Sequence, residues 1–172
     1  MLEFVERNRD HLTPWSPLEP QGFYTLTHWQ DIVKNCAVAF DANTAVRFWM
    51  ALGEHPNRII GSIGYSQIAR GPFCSCLLGY QIDRENEGQG LMLEGLRVTN
   101  QYMFEQQKLH RIAANYRAEN VRSGRLLAKL GFRIEGFAKN YLFIDGAWRD
   151  HVLTSLANDA FNAGWLHEKK KL

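Results

Sequence analysis

The chain has 172 residues, 45% hydrophobic and 12% aromatic, which suits one domain with a sizeable core. Its net charge of +2 supplies no bulk attraction to nucleic acid, and no apolar run approaches the roughly 20 residues that span a bilayer. Three cysteines without a Cys-x-x-Cys pair, and a start lacking the basic-then-apolar order of a secretion signal, point to free thiols in a reducing cytoplasm.

Residues 1–10 have the pattern of a helix end, broken by Leu12-Thr13-Pro14-Trp15-Ser16-Pro17. A second helix is predicted over about residues 24–40, and a buried strand over 46–52. Glu54-His55-Pro56-Asn57 turns the chain into strands at about 59–68 and 73–82, joined across Arg70-Gly71-Pro72. Cys74 and Cys76 share a face of the latter strand and are expected to pack rather than bind metal, because the histidines are scattered.

Glu85-Asn86-Glu87-Gly88-Gln89-Gly90 follows, and then a helix over about 90–107 with Met92, Leu96, Thr99 and Met103 on one stripe. A strand–glycine turn–helix junction presents free backbone N–H groups at the positive end of a helix, a seat for a diphosphate. Side chains at Gly88 and Gly90 would hold phosphate oxygens away from the backbone. An ordinary turn is the competing reading. His110, shortly after Lys108, is expected to end this helix.

A short strand covers about 111–116. Asn120 is an N-cap candidate for a helix over 121–130, and Gly131 suits its left-handed end. Asp145-Gly146 joins the last two strands, about 132–144 and 147–157. This order describes a mixed sheet with helices packed on it, and ligands of such sheets sit at the carboxyl ends of strands. One domain covers 1–172, with a basic tail over 166–172.

Gly88-Gln89-Gly90 opening a helix, Asn120-x-x-Ser123 opening the next, and Gly131-Phe132 ending it together resemble the GNAT superfamily of acetyl-CoA-dependent N-acetyltransferases. Leu12-Thr13-Pro14-Trp15, Leu78-Gly79-Tyr80, His110-Arg111-Ile112, Ala114-Asn115-Tyr116 and Ile144-Asp145-Gly146-x-Trp148-Arg149-Asp150-His151 narrow the likeness to the RimJ-type ribosomal-protein-alanine N-acetyltransferases. The resemblance implies an α/β (α+β) GNAT fold whose mixed, mostly antiparallel sheet of about six to seven strands is flanked by helices. Two departures stand out. Glu85 occupies a motif position usually held by Gln or Arg, and both Glu85 and Glu87 are expected to face solvent. The family's opening strand has no counterpart before the first helix, as if the start were truncated or another segment covered that sheet edge.

The same resemblance implies the site. Backbone at Tyr80, Gln81 and Ile82 would grip the pantetheine arm and polarise the thioester carbonyl. Gly88, Gln89, Gly90, Leu91 and Met92 would seat the diphosphate. Asn120 and Ser123 would be polar contacts on the cofactor side, with Ser123 and Asn115 as catalytic candidates and Ser123 able to protonate the thiolate. For Asn120 a plain helix cap satisfies the sequence equally, and for Tyr80 and Ile82 plain strand packing does. Arg122, Arg125 and Lys129 recur at helical spacing; Arg125 is the candidate for the 3′-phosphate of CoA, against a solvated charged face. Trp15 and Tyr141 are candidates for the acceptor side, against packing. Tyr116 is expected in the core. The Trp148-Arg149-Asp150-His151 run also fits strand packing with an Asp–Arg or Asp–His pair. No metal is expected.

No carboxylate stands out as a base; Glu135, Asp145 and Asp150 suit structural roles on the last hairpin. At pH of about 7.5, deprotonating an α-amino group costs roughly 0.4 kcal/mol and a lysine roughly 4 kcal/mol, so an N-terminal amine is the easier acceptor. The implied function is acetyl transfer to the N-terminal alanine of a ribosomal protein, by direct attack on the thioester. The alternatives are a small-molecule amine, another protein N-terminus, or a non-enzymatic ribosome- or RNA-associated role using the Lys169-Lys170-Lys171 tail. No membrane partner is implied, and the protein is expected as a monomer or homodimer.

Overall fold

The strands are β1 (Val46–Leu52), β2 (His55–Ala69), β3 (Ser75–Ile82), β4 (Arg111–Arg117), β5 (Arg133–Ile144) and β6 (Ala147–Ala157). In the computed structural model, which describes residues 1–167, they form one six-stranded sheet in the order β1-β2-β3-β4-β6-β5. Every neighbouring pair is antiparallel except β3 and β4. The helices are α1 (Leu2–Arg7), α2 (Arg9–Leu12), α3 (Leu26–Asp41), α4 (Leu91–Glu105) and α5 (Val121–Lys129). The lysines at 169–171 lie outside the described residues.

Alternation in β1 divides the apolar side chains between two clusters. Val46, Phe48 and Met50 join the larger one with Ile63, Tyr65, Leu78, Ile112 and the α4 stripe of Met92, Leu96 and Met103. Trp49 joins the smaller one, built on Phe4, Val5 and Trp29 of α1 and α3. Local signals set several boundaries. Gly131, at φ +87°, ends α5 with Phe132 N–H donating to the Leu127 carbonyl at 3.0 Å. Asp145 and Gly146 both have positive φ, the backbone of a tight hairpin turn.

The opening helix expected over residues 1–10 is split at Asn8. This buried side chain donates to the Phe4 carbonyl at 2.9 Å and accepts from the Arg84 N–H at 3.0 Å, so it serves the loop after β3 instead of continuing one helix. Arg7 adds an ion pair with Asp83 at 2.7 Å. The start of the chain is thereby tied to the segment that feeds the glycine turn. β2 begins earlier than expected: His55 already pairs with Leu52, so the turn contracts to Gly53-Glu54. The first strand is β1 at Val46, a sheet edge with α3 packed beside it. His110 lies beyond the end of α4, where its ring packs on Phe161 instead of closing the helix. Cys74 and Cys76 are both buried, although Cys74 precedes β3.

β3 and β4 pair only from Ser75 to Leu78 against Arg111 to Ala114. Beyond that, Gly79 to Ile82 stay with β2, while Asn115 to Arg117 stay with β6. The sheet therefore opens at the carboxyl ends of its central strands. Gly61 keeps β2 tight against this opening: a Cβ there would lie 2.8 Å from the Gln81 carbonyl oxygen. Gly61→Ala is expected to cost about 1–3 kcal/mol in chemical denaturation through overpacking against backbone.

Candidate active site

The opening between β3 and β4 widens into a cleft of about 980 Å³. Its floor is Gly79 to Ile82 and Asn115 to Arg117; the glycine turn and α4 form one wall, and the start of α5 forms the other. Trp15, stacked on Arg117, and His151, the register partner of Arg117, line one end; Ser16 also lines the cleft, and His11 lines it beside Glu87.

The glycine turn is built locally. The Asp83 carboxylate accepts from the Glu85 N–H at 3.4 Å and starts one 3-10 turn over Arg84–Asn86. Gly88 and Gly90 then take φ of +75° and +81°, with open space where a Cβ would stand. The first bond of α4 runs from Glu94 N–H to the Gly90 carbonyl at 3.0 Å, so the N–H groups of Leu91, Met92 and Leu93 have no helical acceptor. Among the described residues no side chain caps this end. These free amides and the empty space over both glycines fit a diphosphate.

Across the cleft, the Asn120 side chain accepts from the Ser123 N–H at 3.1 Å, so the helix cap is realised, with the Asn120 Nδ2 left for other partners. The Ser123 and Tyr80 hydroxyls are 2.7 Å apart. Burial pushes the Tyr80 phenol up to about 12, with the Ser123 hydrogen bond opposing. Tyr80 therefore keeps its proton and can donate to Ser123 Oγ, which leaves the serine proton free to point into the cleft. Gly124 allows the Tyr116 ring to lie against α5, since a Cβ there would meet it at 2.8 Å; Tyr116 packs on the core and also lines the cleft.

Of the residues singled out from the sequence, Trp15, Tyr80, Gln81, Ile82, Gly88, Gly90, Leu91, Met92, Asn115, Asn120, Ser123 and Arg125 all line this one cleft. Gln89 and Tyr141 do not. The Gln89 side chain turns back to the Glu85 carbonyl at 2.9 Å. The Tyr141 hydroxyl accepts from Asn115 Nδ2 at 3.1 Å, one contact removed from the cleft. Trp15 is 40% exposed and carries the Arg117 guanidinium 5.2 Å from its ring centre. Arg117 also donates to the Pro14 carbonyl at 2.6 Å.

The expected outward orientation holds for Glu85, whose side chain is 73% exposed and pairs with Arg58 at 2.9 Å. It fails for Glu87, which is 24% exposed and lines the cleft. His11 lies 3.5 Å from one Glu87 oxygen, and Arg122 pairs with the other. The Arg122 guanidinium offsets the Glu87 charge beside the glycine turn and is thereby engaged. Among the described residues Arg125 pairs with no carboxylate. Glu135 and Asp150 are structural: Arg111 and Ser155 bond the Glu135 carboxyl and hold it below the usual range, and Asp150 accepts from Asn140 N–H at 2.8 Å. The Asp–Arg or Asp–His pair envisaged for the last strand does not form. Among the described residues no group of three His, Cys, Asp or Glu converges as a metal site would.

Residues 3–133 match the Acetyltransferase (GNAT) domain family. The chain belongs to the GNAT acetyltransferase family. It is 40% identical over 164 residues to the ribosomal protein uS5-alanine N-acetyltransferase of Escherichia coli strain K12, covering 95% of this chain and 84% of that relative. A ribosomal-protein-S5-alanine acetyltransferase from Vibrio fischeri superposes with a TM-score of 0.89 at 40% identity, over 94% of this chain and 87% of that one. RimJ of Mycobacterium smegmatis, solved with a CoA-disulfide, gives 0.86 at 28% identity, over 96% and 79%. The six-stranded sheet, parted between β3 and β4, is thus the GNAT fold expected from the sequence.

His11, Ser16, Glu87, Arg117 and His151 line the cleft of this GNAT chain without having been singled out as site residues. Glu87 carried a local signal, its place inside the glycine turn, and His151 stood in the Trp148-Arg149-Asp150-His151 run of the resemblance. The others reach the cleft through contacts distant in sequence.

Proposed function

We propose that this GNAT acetyltransferase transfers acetyl from acetyl-CoA to the α-amino group of an N-terminal alanine on a ribosomal protein, in the cytoplasm. The likeness to the Escherichia coli uS5-alanine enzyme over 95% of the chain carries the reading, because it spans both ends of the cleft. The cleft supports it physically. Backbone at Gly88 to Met92 would hold the diphosphate, and the unpaired edge at Tyr80 to Ile82 would take the pantetheine arm and the carbonyl oxygen. The end lined by Trp15 and His151 is left for the acceptor.

The reaction is direct attack of the neutral amine on the thioester carbonyl. A C–N bond forms and the C–S bond breaks. Two protons leave the acceptor nitrogen; one ends on the CoA sulfur and one in solvent. Ser123, with Tyr80 donating to its Oγ, hands its proton to the departing sulfur and regains one from the acceptor nitrogen through solvent. Release of CoA thiol from acetyl-CoA with an alanine-starting peptide tests the function. Release with polyamines and none with the peptide would overturn the acceptor, and no release with any amine would overturn the enzymatic reading.

Arg125 is assigned to the 3′-phosphate. Arg125→Glu is expected to weaken CoA about 10-fold or more while leaving 3′-dephospho-CoA nearly unchanged. An equal loss with both ligands would remove Arg125 from that role.

A further inference from the structure

The site so far has a proton donor for the sulfur and no group to take the proton from the incoming ammonium. His151 on β6 has the chemistry for it. It is 4% exposed and lines the cleft at the Trp15 end. Its Nδ1 lies 2.9 Å from the Arg149 carbonyl oxygen. A carbonyl oxygen only accepts, so Nδ1 carries the hydrogen. This tautomer has its lone pair on Nε2, which has no hydrogen-bond partner among the described residues. Pinning one imidazole nitrogen to a backbone carbonyl fixes the tautomer and the ring orientation, as a base requires.

The surroundings favour this role. His151 is the register partner of Arg117, the last residue of β4, just past the point where the sheet opens. The Tyr141 ring is 5.6 Å from the imidazole, and Asn115 holds the Tyr141 hydroxyl. Charged groups nearby are engaged elsewhere: Arg117 with Pro14 and Glu119, Arg149 with the Ile144 carbonyl, and Asp150 with Asn140 N–H. Farther along the cleft His11 and Glu87 pair with each other. Among the described residues no carboxylate is bonded to His151.

We propose that His151 is the general base of the acetyl transfer, taking the proton of the acceptor ammonium on Nε2. The inference rests on the reading that the acceptor is an amine delivered to the Trp15 end. In the step, the N–H electron pair stays on the acceptor nitrogen, which then attacks the thioester carbon. The imidazolium passes its proton to solvent after the amide has formed.

His151→Asn tests it, because the Asn amide can keep the donor toward the Arg149 carbonyl while removing the base. Near neutral pH, kcat with the alanine peptide is expected to fall about 100-fold or more, with acetyl-CoA affinity by calorimetry unchanged. The defect shrinks toward wild type as pH passes the acceptor's own value of about 7.7–8.0, where the amine arrives neutral. A defect of the same size at every pH, or none, would overturn the proposal. Wild-type inactivity with peptide and polyamine alike would instead overturn the function it rests on. Should the variant fail to fold, the ring ¹⁵N shifts of the wild-type protein decide: a hydrogen on Nδ1 and a lone pair on Nε2 are expected, and the opposite tautomer would exclude the role.

Discussion

Alanine in place of Gly90 is expected to weaken CoA binding about 10- to 100-fold while costing about 1–2 kcal/mol of stability. Two effects separate here. Gly90 has φ +81°, a backbone that strains any residue with a Cβ, and this sets the stability cost. The loss of affinity has another origin. A Cβ at Gly90 meets nothing within 4 Å, so it clashes with no protein atom and intrudes only where the diphosphate would lie. Hydrogen bonds to a charged group contribute about 1.5–3 kcal/mol each, so displacing the phosphate from one or two amides accounts for the range. Gly71→Ala is the control, with φ +71° and equally open surroundings in the turn before β3. It carries the same strain and is expected to leave CoA binding unaltered. Calorimetric titration and thermal melting of the two variants separate strain from displacement.

Ser123→Ala is expected to lower kcat about 100-fold with the KM for acetyl-CoA nearly unchanged. The hydroxyl would act only when the C–S bond breaks, so its loss falls on the transition state rather than on binding. Tyr80→Phe is expected to cost less, about 10-fold, because the serine proton remains and only its orientation is freed. Tyr80 itself is a poor proton source: burial holds its phenol up at about 12. Steady-state kinetics on both variants checks the ordering. A Ser123→Ala enzyme with unchanged kcat and raised KM would make Ser123 a binding group alone.

What the sequence made legible was local. The glycine turn, the Asn120 cap, the end of α5 at Gly131 and the Asp145-Gly146 hairpin each depend on a few consecutive residues, and each forms as expected. The β3–α4–β4 unit followed from those pieces, and with it the position of the cleft. What escaped was decided across the chain. Asn8 splits the opening helix because its partner, Arg84, is 76 residues away. Glu87 turns inward because His11 and Arg122 approach it from two other elements, which no window around the glycine turn contains. His151 stands in the Trp148-Arg149-Asp150-His151 run that narrows the resemblance, but strand packing accounts for that run equally well. The distinction of His151 is a bond from Nδ1 to the Arg149 carbonyl and a place at the cleft that depends on β6 pairing with β4.

The free amides at the start of α4 carry the whole account, and comparing two ligands tests them most directly. Calorimetry with 3′-dephospho-CoA, which takes Arg125 out of the comparison, and with pantetheine, which lacks the diphosphate, is expected to give binding at least about 100-fold tighter for the former, chiefly from two or more charge-assisted amide bonds to the diphosphate. Equal affinities, or no heat with CoA on folded protein, would contradict the assignment of that helix end.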